Sequence, residues 1–336
     1  MPASATGEAS LAVHLLAGLE PDNLLAFLSL LGLLRALEES TPKWNPRAAW
    51  RGVPLRAELH LAEAVSRTSL VAATIAGIHK VAQAYDVLGE TTSEPLKRCS
   101  KSCNAIPDSV FFELGNFRAL SERYHLDRAR GQLLASLGSD GVAKRNGVEV
   151  ATSPLRLLFG QGHQHYPSRL HLIATQARHE DEKELEQALF EPWTYSDSSD
   201  GFRWDPNEDR RYAYQAGDPS ESRNKVGTVA GANRLASIGV GLLCGVPTHR
   251  GLIVLGFQEQ QLPEMCWPLV EVPTTLAGHI AVMSHPALLA QEPSGLRAYG
   301  VKAIARSRRV QVGKFFNFER ARLDFLVKPV MASGPR

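Results

Sequence analysis

Four cysteines in 336 residues, Cys99, Cys103, Cys244 and Cys266, are too few for a disulfide framework. Cys99 and Cys103 are close, but no histidine pair at finger-like spacing follows them, so a zinc module is not expected either. Net charge is only +2 at pH 7, so overall charge points to no partner. The most apolar stretch, Leu24 to Leu37, is broken by Ser29, Gly32 and Arg35. It also falls short of the roughly 20 residues that a bilayer requires. Met1 to Ser10 is small and polar, without the basic start and apolar run of a secretory signal. These absences together lead to the expectation of a cytosolic protein with reduced thiols. The phosphate loop G-x-x-x-x-G-K-[ST], the dinucleotide G-x-G-x-x-G after a strand, H-E-x-x-H and G-x-S-x-G are all missing, which weakens the common enzyme readings.

Apolar residues make up 44% of the chain, enough for a sizeable core. Their spacing predicts an α+β protein of mixed sheets with buried helices. Leu11–Leu16 reads as a strand, Gly18–Asn23 as a turn, and Leu24–Leu37 as a helix apolar on all faces. Ala48–Trp50 and Leu55–Leu61 read as a hairpin around Gly52-Val53-Pro54, and a helix opens at Ser66 and runs to Val87. Gly89–Pro107 is expected to be an exposed loop, Ser109–Leu137 helical, and Gly138–Gly147 a second polar loop. The second half reads as helices within Leu155–Leu189, a structured loop over Glu191–Tyr214 and a helix over Thr228–Leu243. Strands at Leu252–Phe257 and Trp267–Val272 and short helices at Leu276–Met283 and Pro286–Gln291 follow. Two long strands, Gly300–Val312 and Phe315–Phe325, close the fold. Length suggests two subdomains, 1–147 and 148–326, with a tail at 327–336.

Three clusters invite chemistry. His163 and His165 lie in a polar loop with Gln161, Gln164 and Tyr166, where histidines serve as ligands or, more often, as surface and capping residues. Asp205, Glu208 and Asp209 would suit a metal-dependent nuclease. Neighbouring Arg210 and Arg211 favour instead a loop fixed by carboxylate–guanidinium pairs. Gly227 to Arg234 opens a helix whose N–H groups could receive a phosphate with help from Asn233 and Arg234. Small residues there would equally permit close helix packing. No cofactor is expected.

Charge is unevenly distributed. Glu180 to Glu191 is mostly acidic. Arg297 to Arg322 carries Arg297, Lys302, Arg306, Arg308, Arg309, Lys314, Arg320 and Arg322 against Glu319. On a strand, Lys302, Arg306 and Arg308 share one face and Arg309 takes the other. With Phe315, Phe316 and Phe318 beside them, these cations suit nucleic acid. A solvated strand pair with core aromatics is the competing reading. If the first holds, replacing Arg306, Arg308 and Arg309 by alanine weakens DNA binding and its salt dependence.

The stretch His14 to Arg35, with Gly18-Leu19-Glu20-Pro21-Asp22-Asn23 at its turn, resembles the start of large-subunit proteins of type I-G (formerly I-U) CRISPR effector complexes. Phe202-Arg203-Trp204-Asp205-Pro206-Asn207-Glu208-Asp209-Arg210-Arg211-Tyr212 is similar to a second motif of that family. Gly231 to Ala236, Arg250 to Leu252 and Arg306 to Arg308 extend the likeness over most of the chain. The resemblance implies a non-catalytic subunit of an RNA-guided Cascade complex. Its partners would be crRNA-guided target DNA, sibling subunits and a helicase-nuclease recruited separately. It also implies a structural rather than catalytic role for Asp205 to Asp209. A scaffold that touches protein alone is the remaining alternative.

Overall fold

The computed structural model describes residues 11–91, 106–144, 146–158, 165–176, 181–197, 201–208, 227–249, 251–258, 263–290, 294–312 and 315–326. It is an α+β fold, as the apolar spacing predicts. Strand β1 (Leu11–Leu16) leads through a turn into helix α1 (Leu24–Ser40). The turn becomes a helix start because the Asn23 side chain accepts from the Leu25 and Ala26 N–H groups, at 2.9 and 3.4 Å. Every residue of α1 from Leu24 to Leu37 is buried. Its partners are helices α2 (Arg67–Ala82), opened by the Ser66 side chain, and α8 (Ala230–Gly239). Gly32 brings the α1 backbone onto the backbone of Leu235, and Gly77 brings α2 onto Ala36. On either side of the Gly32 crossing, the Ser29 hydroxyl lies 2.8 Å from the Ala232 carbonyl and Arg35 donates to the Ile238 carbonyl at 2.9 Å. The contact between α1 and α8 joins parts of the chain on either side of residue 147.

Two sheets flank this helical layer. One has the order β1-β3-β2, all antiparallel, from β2 (Arg47–Arg51) and β3 (Arg56–Val65). The β2–β3 hairpin turns at Gly52, whose φ of 83° favours glycine. The other sheet is built on β10 (Val301–Val312). One edge of β10 takes β9 (Glu264–Val270). Its other edge takes β12 (Arg322–Phe325) along the first half and β11 (Phe315–Phe318) along the second. The expected single strand over Phe315–Phe325 is thus two, interrupted where Ala321 N–H turns aside to donate to the Asp22 carbonyl at 2.8 Å. Trp267 of β9 stacks on Phe27 of α1 with centroids 5.6 Å apart, and that contact seats the sheet on the helical layer.

The remaining elements are peripheral. Helices α3 (Asp108–Phe111), α4 (Leu114–Arg123) and α5 (Arg128–Leu137) fill the segment expected to be helical. The expected polar loop after them is instead a strand, β4 (Gly138–Ala143), paired with β5 (Val150–Thr152). Its two glycines and polar residues hide the period-two pattern, because both faces lie near the surface. The helix from Ser66 gives way at Gln83 to a 3-10 segment reaching Gly89, and Pro286–Leu288 is a single 3-10 turn. Helices α6 (Tyr166–Thr175) and α7 (Asp181–Phe190) begin later than the expected helical stretch at Leu155. A second small hairpin joins β6 (Gly245–Thr248) to β7 (Gly251–Val254), and β8 (Phe257–Gln258) extends the sheet beyond β9. Among the described residues no helix is long and apolar enough to cross a membrane.

Helix α9 (Leu276–Met283) carries one buried titratable group into the core. His279 is fully buried, with Nε2 3.3 Å from the Ala48 carbonyl, and burial pushes its pKa down to about 4. An unfolded histidine titrates near 6.5, so between these values the unfolded chain binds more protons than the folded one. The stability due to neutral His279 is complete above about pH 6.5 and declines as pH falls towards 4. Lowering the pH from 7 to 5 is expected to cost about 2 kcal/mol through this residue. In His279→Gln that slope disappears, which urea unfolding at the two pH values measures. An unchanged slope in the variant would place the titration elsewhere.

Candidate nucleic-acid interface

The structure sorts the cations of β10 by neighbour rather than by strand face. Arg306 lies in the middle of the sheet, opposite Cys266 on one side and Arg322 on the other. Its side chain is 7% exposed, and Nε donates to Asp324 at 2.8 Å. Nη2 donates to the Ala290 carbonyl at 2.9 Å, Nη1 donates to Cys266 Sγ at 3.1 Å, and Glu264 stands 3.9 Å away. Burial pushes the Cys266 thiol up to about 11, although Arg306 pulls the other way. The thiol therefore stays neutral. Arg306 is thus a buried cross-strand anchor, and the expectation of a solvent-facing phosphate contact does not describe its position.

Arg309 is half-buried. Its guanidinium sits 4.1 Å over the Phe316 ring, and Nη2 reaches the Arg156 carbonyl at 3.4 Å. Burial, and secondarily the Arg156 charge, lower its pKa to about 10, so it remains a cation at neutral pH. Arg308 is exposed, in register with Glu264, and Lys302 is half-buried. Neither makes an ion pair within 4 Å among the described residues. Lys314 lies outside the described residues. Arg320 is held by Glu20 at 2.8 Å and Asp22 at 2.9 Å, and Arg322 by Asp324 at 2.8 Å. Three of the eight cations of the cluster, Arg306, Arg320 and Arg322, are therefore paired with acids.

The start of α8 is an internal joint. Asn233 accepts from the Phe202 N–H at 3.2 Å and donates to Thr228 Oγ1 at 2.9 Å. Arg234 pairs with Asp181 at the start of α7, and its Nη2 lies 3.2 Å from His79 Nε2. The Ala230 N–H, where a phosphate would dock, already donates to the Asp197 carboxylate at 2.8 Å. Both Asn233 and Arg234 are buried. Of the two sequence readings for this segment, these contacts fit close packing.

Phe202 and Trp204 stack with centroids 4.3 Å apart, and the Trp204 indole donates to the Leu155 carbonyl at 2.9 Å. Asp205 is buried and accepts from the Asn207 N–H at 2.8 Å; burial raises its pKa, against hydrogen bonding that lowers it. The side chains of Asn23 and Tyr195 lie beside it. Asp209 and the side chain of Glu208 lie outside the described residues, as do Gln161, His163 and Gln164. His165 Nδ1 accepts from the Asp108 N–H at 3.2 Å, beside the buried Arg156–Asp108 pair at 2.6 Å. Among the described residues no group of three or more histidine, cysteine, aspartate or glutamate side chains is arranged to hold a metal ion.

The described surface holds one feature that the sequence did not signal, a cleft of about 380 Å³. Its walls are the Glu20-Pro21-Asp22 turn, the β2–β3 hairpin tip, the start of the central strand β10 and its neighbour β12. Lys302 lines it with Arg56, Arg320 and Phe325. Nothing local in the sequence marks these segments as neighbours, because they come from positions about 20, 55, 302 and 325. Comparison with protein-family models, with curated proteins and with solved structures finds no match to the chain.

Proposed function

We propose that the chain is a non-catalytic, large-subunit-like component of a type I-G CRISPR effector complex, binding crRNA-guided target DNA and neighbouring subunits. The observation that supports this reading most is where the family-like segments lie. Asn23, from the first, caps α1 and stands beside Asp205, from the second. Phe202, also from the second, bonds Asn233 from the third, and α8 crosses α1 at Gly32. Segments some 200 residues apart thus form one connected joint, which suits a likeness of architecture rather than of a stray fragment. In RNA-guided recognition base pairing reads the sequence, while protein holds the backbone and a short duplex element. Exposed Arg308 and the cleft residues Lys302 and Arg56 are the cations placed for such backbone contacts.

The test is assembly and salt dependence. The chain, co-expressed with its sibling subunits and a guide, is expected to co-purify with them and to bind guide-matched DNA. In the double variant Lys302→Ala/Arg308→Ala the log–log salt slope should shrink by about 2, one for each lost phosphate contact. Unfolding should be unaffected, since neither side chain is in an ion pair among the described residues. A full-sized slope in that variant would remove these residues from the interface. Magnesium-dependent cutting by the chain alone would favour the nuclease reading, and no nucleic acid in any assembly would favour the scaffold.

A further inference from the structure

We propose that the cleft beside Lys302 takes a single unstacked nucleotide. This rests on the nucleic-acid reading and deepens it. At about 380 Å³ the cleft lies at the small end of ligand sites, which run from roughly 300 to 1,000 Å³. That suits one nucleotide and excludes a duplex.

Its chemistry has three parts. Phe325, 55% exposed, and Val53, 98% exposed, offer apolar surface that the fold leaves open to water, and Pro54 and Leu323 line the same cleft. A base stacking on such surface gains burial for both sides. Lys302 and Arg56 supply positive charge without an ion pair among the described residues, which suits a phosphate. Glu20 and Asp22, already bonded to Arg320, keep acceptor capacity for an exocyclic amino group. A flat ring, an anion and an amino edge within one small ligand describe a nucleotide.

The walls are fixed before any ligand arrives. The Trp267 indole donates to the Pro21 carbonyl at 3.1 Å, and Ala321 N–H donates to the Asp22 carbonyl at 2.8 Å, so the acidic turn is tied to the sheet. Arg51 Nε donates to the Glu271 carbonyl at 2.8 Å, and Ala48 and Thr274 exchange backbone bonds at 2.9 Å, which fixes the hairpin. Leu326 N–H donates to the Lys302 carbonyl at 2.9 Å, which sets Phe325 beside Lys302. A preformed site avoids the ordering cost that would otherwise weaken binding.

Fluorescence anisotropy of single-stranded DNA on the full chain, with and without its assembled complex, tests the proposal. Phe325→Ala should weaken binding about tenfold, within the range for loss of one stacked base, and leave the salt slope unchanged. Lys302→Gln should instead reduce the slope by about one. Titration calorimetry of the chain with dCMP or dAMP should give saturable heats in the wild type and none in Phe325→Ala. If single strands bind but both variants match the wild type, the cleft is overturned and the broader function stands. If no nucleic acid binds in either form, both fall. Self-association that is lost in Phe325→Ala, without any nucleotide effect, would overturn the proposal in favour of a protein contact.

Discussion

Arg306→Ala is expected to lower the unfolding free energy by about 3 kcal/mol, the lower part of the range for breaking a buried ion pair. The truncation leaves Asp324 with Arg322 alone, a pair largely in water. It leaves Glu264 without the guanidinium at 3.9 Å, and it removes the Arg306 donor from the Ala290 carbonyl beside the sheet and from the Cys266 thiol within it. Total stability of a domain is about 5–15 kcal/mol, so this one side chain carries a large share of it. Arg308→Ala, two positions along on the exposed stretch of the same strand, should stay within about 0.5 kcal/mol of wild type. Urea unfolding of the two single variants separates structural from binding roles, which a combined alanine replacement of Arg306, Arg308 and Arg309 cannot do. An Arg306→Ala protein as stable as wild type would show that the buried anchor is wrongly assigned and would return Arg306 to the list of surface cations.

The contrast between Arg306 and Arg308 marks the limit of reading this chain from sequence. Helix α1 is legible because its signals are local: a turn that closes at Asn23 and leucines that leave no polar face. The same holds for β1, for the alternation of β3 and for the serine that opens α2. The basic stretch is also visible, but its electrostatics are only partly so: Asp324 adjoins it, whereas other neutralising acids come from distant positions. Arg320 finds Glu20 some 300 residues away. Asp197 occupies the N-terminus of α8, where a phosphate was a reasonable expectation. Strand β4 escapes detection for a different reason: two glycines and a solvated position erase the alternation that a half-buried strand displays. The cleft at Lys302 is illegible from local pattern, since a concavity made by four separate segments has no local signature.

Gly32→Ala should be as damaging as Arg306→Ala or more so, through packing alone. In an isolated helix the change would help, by about 1 kcal/mol, because alanine is the better helix former. Here the added methyl would land on the carbonyl of Leu235, which is backbone and has no rotamer through which to yield. The neighbouring Gly239 meets the Leu28 carbonyl in the same way, so both helices are at their closest approach and neither can slide towards the other. Accommodating the methyl requires α1 and α8 to separate. That stretches the Ser29–Ala232 and Arg35–Ile238 contacts, now 2.8 and 2.9 Å, and opens a core in which α1 is buried on every side. Overpacking typically costs 1–3 kcal/mol where side chains can adjust, so with backbone on both sides about 3 kcal/mol or more is expected after the helix-propensity gain is subtracted. Separation of α8 also moves Asn233 and Arg234, which hold Phe202 and Asp181, so the damage should reach the joint between the family-like segments. Gly295→Ala supplies the control, because a methyl there meets nothing within 4 Å. Thermal unfolding should leave the control near wild type and shift Gly32→Ala down by several degrees. Equal midpoints for the two variants would mean that α1 and α8 do not pack backbone against backbone.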